Sequence, residues 1–379
     1  MKHHLLWVTQ HYPPVSGGMA VSCQRQVEGA RRMGVCCDTI FFLSGSHTIT
    51  CDEKPRDNGM DIIIHYPCHI GNAAQTAWHY IMERSCRYPY SLIIGFGANS
   101  TGLMASTFAL WLNVKSLVMV RGNDFDRDWF DPKYHPTVSQ ALALAGMIGA
   151  VSQDKIRKLK ALFPQKEVVW TPNSVDVSQF ELLAGERKIC DDLKSRLSPQ
   201  GERVVGLFGE LKYKKRVSFW LRAVRDAGLL NKVSLLIVGK TDDETNQILN
   251  DPSLSPKCIR ISFVERDLLP AYYAACDFMV IPSLFDGFPN VLLEAMASGC
   301  IPIVSGVDGM KDIIDHQETG FVFPPEDRKK AAFVTHEAVS LNSRELAVMK
   351  NRVKGYVGEN FSLARELQCL GLENESDPQ

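Results

Sequence analysis

The sequence predicts an α/β protein of two doubly wound domains, each a mainly parallel β-sheet wrapped by helices. Short apolar runs alternate with stretches of helical periodicity, which is typical of parallel strands joined by helical crossovers. The alternation pauses near residue 173 and begins again near residue 203. A chain of 379 residues is long enough for two such domains with complete cores.

Short apolar runs predict the strands of both sheets. In the first half they lie at residues 5–10, 37–43, 61–66, 91–94, 116–120, 147–151 and 168–171. In the second half they lie at residues 203–208, 233–238, 259–263, 278–281 and 301–304. Apolar residues at helical spacing predict a first helix over residues 19–33. The link between the domains is predicted within residues 173–200, which end in a Ser-Pro-Gln-Gly turn.

Composition excludes several classes of function. A formal net charge of −1 argues against a nucleic-acid partner held by bulk electrostatics. The 11 cysteines include no C-x-x-C pair, which argues against a zinc site or a regular disulfide framework and favours reduced, cytoplasmic thiols. The N-terminus has no apolar run long enough for a signal peptide or a membrane span.

The most informative segment is residues 281–305, which is typical of strand, loop, helix and strand, with an acid on each side of the helix start. Pro289 suits the first turn of the helix, and Gly299 suits its end. Asp286 is therefore predicted at the mouth of this helix, and Glu294 is predicted within it.

The start of this helix is a candidate anion site. The backbone amides of residues 287–291 lack intrahelical partners, and together with the helix dipole they favour an anion such as a diphosphate. Glu294 would lie about 7 Å further along, at 1.5 Å per residue. Carboxylates only accept hydrogen bonds, so one acid is expected to bind sugar hydroxyls and the other a ribose diol. The alternative is a buried helix with two solvated acids.

Two further loops are candidate phosphate sites. Lys212, Lys215 and two other cations crowd the start of the helix after strand 203–208, which is unfavourable there unless an anion neutralises them. Gly17 and Gly18 follow the first strand and allow a tight turn through which the backbone can approach a phosphate. The alternatives are a solvated basic helix start and a plain strand-to-helix turn.

Arg121 and Asp124 follow strand 116–120, so we expect them at the carboxyl edge of the first sheet, where ligands bind in this class of fold. An arginine there can hold a carboxylate or phosphate of an acceptor by two parallel hydrogen bonds. Alternatively, Arg121 and Asp124 pair with each other. The sequence leaves both interpretations open.

The pattern PS-x-x-D-G-F-x-N-x-x-x-E-A-M-A-x-G resembles the signature of retaining glycosyltransferases of family 4, the glycosyl transferases of group 1. Asp286 replaces the usual first Glu. Gly209, Leu211 and Lys215 resemble the family's Gly-Arg-Leu-x-x-x-Lys loop, but Glu210 replaces the Arg. Residues 121–124 resemble an Arg-Gly-Asn-Asp subgroup of the family.

The resemblance implies the GT-B fold, in which two Rossmann-like domains face a central cleft and a C-terminal helix crosses back to the N-terminal domain. It assigns acceptor binding to residues 1–178 with helix 356–379, and donor binding to residues 179–355. The catalytic residues would be Lys215, Asp286 and Glu294, with Arg121, Asn123 and Asp124 binding the acceptor. The donor-binding residues would be Gly17, Gly18, Lys212, Lys215, Asp286, Gly287, Phe288, Pro289, Asn290, Val291, Leu292 and Glu294.

The resemblance also implies the reaction, which is transfer of a hexose-type sugar from a UDP- or GDP-linked donor to a hydroxyl of a glycan, a lipid-linked acceptor or a small molecule. Retention of configuration and a role in polysaccharide or glycoconjugate biosynthesis are expected, without cofactor or metal. Two alternatives stay open: a nucleotide-sugar epimerase of GT-B architecture and a sugar-nucleotide-binding protein without transfer activity. A cytoplasmic location is predicted, and peripheral contact with the inner face of a membrane stays open.

Overall fold

The computed structural model describes residues 4–251 and 257–372, and these form two compact units. The first unit comprises the described residues of Met1–Asn173 and Leu363–Gln379, and the second those of Ser174–Ser362. Residues 174–178 and 356–362, which the sequence assigned to the first domain, lie in the second unit. At the C-terminal end the difference arises because one helix runs unbroken over Ser343–Asn360. Residues 373–379 of the assigned C-terminal helix lie outside the described residues.

An 8-stranded sheet forms the first unit, in the order β3-β4-β2-β1-β5-β6-β7-β8. Only the β3–β4 pair is antiparallel among the described pairs of this sheet. Its strands are β1 (His4–Thr9), β2 (Cys36–Ser44), β3 (Thr50–Arg56), β4 (Gly59–Tyr66), β5 (Leu92–Phe96), β6 (Lys115–Val120), β7 (Met147–Ala150) and β8 (Glu167–Trp170).

Helices cover both faces of this sheet, because alternate residues of its buried strands point to opposite faces. Leu5 and Trp7 of β1 pack in one apolar cluster, and Leu6 and Val8 pack in another. The helices are α1 (Gly18–Arg32), α2 (Ala74–Arg87), α3 (Ser100–Leu112), α4 (Asn123–Asp126), α5 (His135–Leu144) and α6 (Gln153–Leu162).

The second unit is built on a 6-stranded sheet in the order β11-β10-β9-β12-β13-β14. Its strands are β9 (Arg203–Phe208), β10 (Val233–Val238), β11 (Cys258–Ile261), β12 (Phe278–Ile281), β13 (Ile301–Ser305) and β14 (Phe321–Phe323). Its helices are α7 (Ala184–Leu197), α8 (Val217–Asp226), α9 (Asp243–Leu249), α10 (Leu269–Ala274), α11 (Asn290–Ala297), α12 (Met310–Ile313), α13 (Arg328–Val339) and α14 (Ser343–Asn360).

These two sheets confirm the predicted pair of doubly wound domains. All predicted strands are present, with ends within two residues of the predicted bounds. The sequence did not predict β3 or β14. Strand β3 (TCDEKPR) is an edge strand whose side chains are mostly exposed, so it has no apolar alternation to detect.

The last described helix, α15 (Leu363–Gln368), belongs to the first unit, which agrees with the expected return of a C-terminal helix to that domain, and it packs against α1. The close approach depends on Gly29 of α1, because a Cβ atom there would lie 2.7 Å from Cδ2 of Leu363. Within the described residues, no helix has the length and apolar character needed to cross a membrane.

A buried carboxylate fixes α15 in place. Glu366 is almost completely buried and accepts hydrogen bonds from Nε2 of Gln26 at 2.8 Å and from Nε of Arg25 at 3.1 Å. The guanidinium of Arg121 lies 3.8 Å from the same carboxylate. A buried acid needs such partners, because an unpaired charge is very costly away from water. Glu366 therefore ties the end of the chain to the core of the first unit.

We expect Glu366→Ala to destabilise the first unit by about 3–5 kcal/mol, since it leaves the buried side chains of Gln26 and Arg121 without this acceptor. Calorimetry should show a lower unfolding temperature for the first unit, and amide hydrogen exchange should become faster in residues 18–32. The control is Glu359→Ala at an exposed position of α14, where little change is expected. Equal effects of both substitutions would contradict this account of Glu366.

Candidate active site

Lys215 and Asp286, two of the predicted catalytic residues, lie together at the carboxyl edge of the second sheet. Lys215 ends a short 3-10 turn, Tyr213–Lys215, that follows β9 and precedes α8. Its Nζ atom donates to Oδ2 of Asp286 in an ion pair whose side chains are 17% and 16% exposed. The amide of Leu284 also donates to the carbonyl of Lys214 at 2.9 Å, so the two loops are joined by main chain as well.

The other charged residues of the β9–α8 loop have different partners. Lys212 pairs with Glu210 at 2.7 Å, and both side chains are largely exposed. This pairing lowers the pKa of the Glu210 carboxyl below its usual range. The guanidinium of Arg216 stacks on Phe219 and donates to the carbonyl of Pro325 at 2.7 Å. Lys215 is therefore the cation of this loop that pairs with Asp286, in the segment of residues 281–305.

The loop that precedes α11 is closely packed. Pro289 is the N-cap residue, so α11 begins at Asn290, one residue later than the sequence predicted. The ring of Phe288 is buried and lies 5.4 Å from that of Phe361. The carbonyl of Gly287 lies so close to Gly309 that a Cβ there would be 1.8 Å from it. This packing fixes the backbone from which the first amides of α11 project.

The remaining predicted donor-binding residues differ in whether their side chains are buried or partly exposed. Leu292 is fully buried, so its side chain belongs to the core of the second unit. Asn290 and Val291 are partly exposed at the helix start. Gly287, Phe288, Pro289 and Leu292 can therefore contribute to a ligand site mainly through their main chain.

Glu294 is held by two side chains that the sequence analysis missed. It is only 7% exposed, and its Oε1 and Oε2 atoms accept hydrogen bonds from Nη2 of Arg266 at 2.9 Å and from the hydroxyl of Tyr273 at 3.0 Å. Tyr273 belongs to α10 and lies 21 positions from Glu294 along the chain. Nothing in the sequence of α10, LPAYYA, distinguishes Tyr273 from an ordinary core aromatic.

In the first unit, Gly17 and Gly18 form the predicted tight turn into α1. Gly17 is the N-cap residue and has φ +118°, a conformation that side chains rarely adopt, and α1 begins at Gly18. A Cβ at Gly17 would meet nothing within 4 Å, so the backbone conformation rather than a lack of space requires glycine.

Arg121 does not reach outward from the edge of the first sheet. Its guanidinium is buried, donates to the carbonyl of Thr171 at 2.8 Å and to Oδ1 of Asn173, and lies over the ring of Phe96 at 5.1 Å. Burial lowers the pKa of Arg121 to about 10. The alternative of a direct Arg121–Asp124 side-chain pair is also absent, because Asp124 accepts the backbone amide of Arg121 instead.

Asn123 and Asp124 line a cavity of about 690 Å³ at this edge, to which His11 also contributes. Asp124 accepts backbone N–H groups of Ala98 at 3.0 Å and Gly122 at 2.5 Å, yet burial still raises its pKa above the usual range. Burial lowers the pKa of His11 below 6.5, and the nearby charge of Asp124 opposes that shift. The only sequence signal for His11 at this site is its position just after β1, at the carboxyl end of the strand.

The charges that line this cavity are mainly acidic. Asp128 is buried and pairs with Arg127 at 2.7 Å, so the lining combines Asp124 and Asp128 with a single arginine that is already neutralised. Polar groups of Gln10, Tyr66, His69, Asn99 and Ser100 also line the cavity. Across residues 4–251 and 257–372, no group of three or more His, Cys, Asp and Glu side chains is arranged to hold a metal ion.

Comparison with known proteins finds a family match within the second unit. Residues 202–338 match the family described as Glycosyl transferases group 1. The whole chain is similar to an uncharacterized glycosyltransferase of Methanocaldococcus jannaschii, MJ1607, with 24% identity covering 94% of this chain and 93% of the relative.

Two solved structures share the fold at low sequence identity. One is sucrose-phosphate synthase from Thermosynechococcus elongatus, with TM-score 0.74, 17% identity and 98% of each chain covered. The other is Anabaena Alr3699/HepE in complex with UDP, with TM-score 0.72, 16% identity and 98% of each chain covered.

The fold and these similarities define the chain as a glycosyltransferase of the GT-B fold. More particularly, the part of the second unit that matches the family described as Glycosyl transferases group 1 includes Lys215, Asp286 and Glu294. The chain therefore catalyses sugar transfer.

We expect Asp124→Asn to lower the pKa of His11 further below 6.5, because it removes the negative charge that favours the protonated imidazole. Histidine-selective NMR titration measures the shift. Asp128→Asn is the control, since Asp128 lines the same cavity without being a cause of the His11 shift. A rise in the pKa of His11 in Asp124→Asn would contradict the assigned electrostatics.

Proposed function

We propose that the chain is a family 4 glycosyltransferase that moves a hexose-type sugar from a nucleoside diphosphate donor to a hydroxyl acceptor with retention of configuration. A UDP- or GDP-linked donor and a role in glycan, polysaccharide or glycoconjugate biosynthesis are part of this proposal. The observation that carries it is the Lys215–Asp286 ion pair, which stands beside the start of α11 and in the same domain as the buried Glu294.

Lys215 is the proposed ligand of the donor diphosphate. Its side chain is only partly exposed and is confined by the 3-10 turn that precedes α8. The first amides of α11 and the dipole of that helix favour the same anion. Glu210 and Lys212 neutralise each other, so Lys215 supplies most of the positive charge. Binding of the diphosphate to Lys215 would free Asp286 to accept from sugar hydroxyls.

Glu294 is the proposed ligand of the donor ribose. Its carboxylate offers only acceptors, and a ribose diol supplies two donors. Support for the nucleotide comes from Alr3699/HepE, a structural neighbour whose structure was determined in complex with UDP. That neighbour shares the fold at 16% identity, and we propose that this chain uses the shared fold to bind a nucleotide as well.

The first-unit cavity with Asn123 and Asp124 is the proposed acceptor site, and the acceptor group is an uncharged hydroxyl. The acidic lining of the cavity disfavours phosphates and carboxylates. Arg121, the residue that the sequence offered for such an anion, instead holds Thr171 and Asn173 through its buried guanidinium. Glycans, lipid-linked sugars and small molecules all carry suitable neutral hydroxyls.

In the proposed reaction the bond between the anomeric carbon and the donor phosphate oxygen breaks, and its electron pair leaves with the diphosphate. Lys215 and the helix amides stabilise the charge that develops on this leaving group. The acceptor oxygen bonds to the anomeric carbon on the same face and gives its proton to a phosphate oxygen of the departing nucleotide. This scheme uses neither a metal ion nor a protein nucleophile.

A thermal-shift screen with UDP, GDP, ADP and TDP tests donor binding. A ligand present at a hundred times its Kd stabilises the folded state by about 2.7 kcal/mol, so one nucleotide should raise the Tm in a concentration-dependent way. Lys215→Met should remove most of this shift, whereas Lys232→Met, at an exposed position before β10, should keep it. A full shift in Lys215→Met would overturn the role given to Lys215.

Transfer itself is tested with the matching nucleotide sugars and a panel of neutral acceptors. The glycoside product should retain the anomeric configuration of the donor by NMR, and EDTA should leave the rate unchanged. Asp286→Asn should reduce the rate by about tenfold or more while nucleotide binding persists, because Lys215 is intact; the control is Asp191→Asn at an exposed position of α7. Donor binding without any product would favour a binding protein, and a new sugar nucleotide from donor alone would favour an epimerase.

A further inference from the structure

Two hydrogen bonds fix the orientation of the Glu294 carboxylate. One carboxylate oxygen accepts from Nη2 of Arg266 at 2.9 Å, and the other accepts from the hydroxyl of Tyr273 at 3.0 Å. Because the two donors lie on different oxygens, rotation of the carboxylate about its last bond would break both contacts. The carboxylate plane is therefore set by Arg266 and Tyr273 together.

Tyr273 is itself held rigidly. It is 1% exposed, and its ring packs against that of Phe208, at the end of β9, with 4.5 Å between the ring centroids. Burial, together with the charge of Glu294, raises the pKa of Tyr273 well above its usual value, so its hydroxyl stays protonated and donates. Arg266 differs in that its side chain is about half exposed. The buried tyrosine thus supplies the fixed donor, and the arginine supplies a second donor from the surface.

The arrangement leaves one further acceptor position on each carboxylate oxygen of Glu294. Each carboxylate oxygen has two lone pairs, and Tyr273 and Arg266 each occupy one of them. Glu294 is only 7% exposed, so water has limited access to the remaining two. A vicinal diol satisfies both acceptors at once, whereas a ligand with one hydroxyl leaves a buried charged acceptor unmatched. Sites built to bind a hydroxyl reject analogues that lack it far more strongly than apolar pockets reject a missing methylene.

Building on the proposed function, in which Glu294 binds the donor ribose, we infer that Tyr273 and Arg266 are positioning residues for Glu294. Through them the donor site selects ribonucleoside diphosphates over 2′-deoxyribonucleoside diphosphates. The selected feature is the second hydroxyl of the ribose, and neither Tyr273 nor Arg266 needs to touch the ligand.

A purely structural role for Tyr273 makes a different prediction. In that case the Tyr273–Glu294 hydrogen bond would only join α10 to α11, and its loss would lower stability without changing preference among ligands. The ratio of two affinities separates the roles, because a general loss of stability or of donor affinity affects both nucleotides alike.

The experiment measures Kd by calorimetry for the best-bound nucleotide among UDP, GDP and ADP, and for its 2′-deoxy counterpart. Wild type should favour the ribonucleotide by about tenfold or more, as expected for a hydrogen bond to a buried charged group. Tyr273→Phe should bring the two values within about threefold, chiefly by weakening the ribonucleotide. Tyr272→Phe removes a hydroxyl from the neighbouring, partly exposed position and should keep the wild-type ratio.

Several outcomes would overturn the inference. Equal affinities in wild type would reject the ribose selectivity while leaving donor binding intact, and an unchanged ratio in folded Tyr273→Phe would reject the role of Tyr273. If Tyr273→Phe does not fold, Arg266→Met at the half-exposed position gives the same test, and an unchanged ratio there counts against positioning. If none of the three nucleotides binds, the proposed function fails first and this inference fails with it.

Discussion

The ion pair between Lys215 and Asp286 is the interaction on which the proposed donor chemistry depends, because it joins two loops that follow different strands. Opposite charges on partly buried groups stabilise each other. Removing one of them leaves an unpaired charge that is poorly solvated, which costs free energy. A diphosphate, which carries more negative charge than one carboxylate, would compete with Asp286 for Lys215. In the proposed reaction, donor binding would replace Asp286 by a phosphate as the partner of Lys215, and the released carboxylate would accept hydrogen bonds from hydroxyl groups.

Two buried carboxylates, Glu294 and Glu366, likewise join separate parts of the chain through their hydrogen bonds. Glu294 takes its orientation from Arg266 and Tyr273, and Glu366 takes its place among Arg25, Gln26 and Arg121. In each case the acid lies on one helix, and its partners come from other parts of the chain. The two acids differ in their surroundings: Glu294 lies at the proposed donor site, whereas Glu366 accepts hydrogen bonds from Arg25 and Gln26, lies 3.8 Å from Arg121 and serves the packing of the first unit.

The fold and part of the site could be read from the sequence, because both depend on patterns that are local along the chain. Apolar runs located the strands, and the spacing of Asp286 and Glu294 marked α11. The sequence could not reveal Tyr273, Arg266 or Glu366 as partners, since those contacts join residues separated by 21, 28 and up to 341 positions. Arg121 shows the same limit, because its place at a strand end predicted an outward direction, while its buried partners turn the guanidinium inward.

The position of α15 has a consequence for the order of assembly during synthesis. The helix that completes the first unit follows the second unit in the chain, so the ribosome makes all of residues 174–362 before Glu366 can reach Gln26 and Arg121. Until then Arg121 lacks its ion-pair partner Glu366, and the surface of α1 at Gly29 is not covered by Leu363. The portion that is translated first is thus the last to reach its final form.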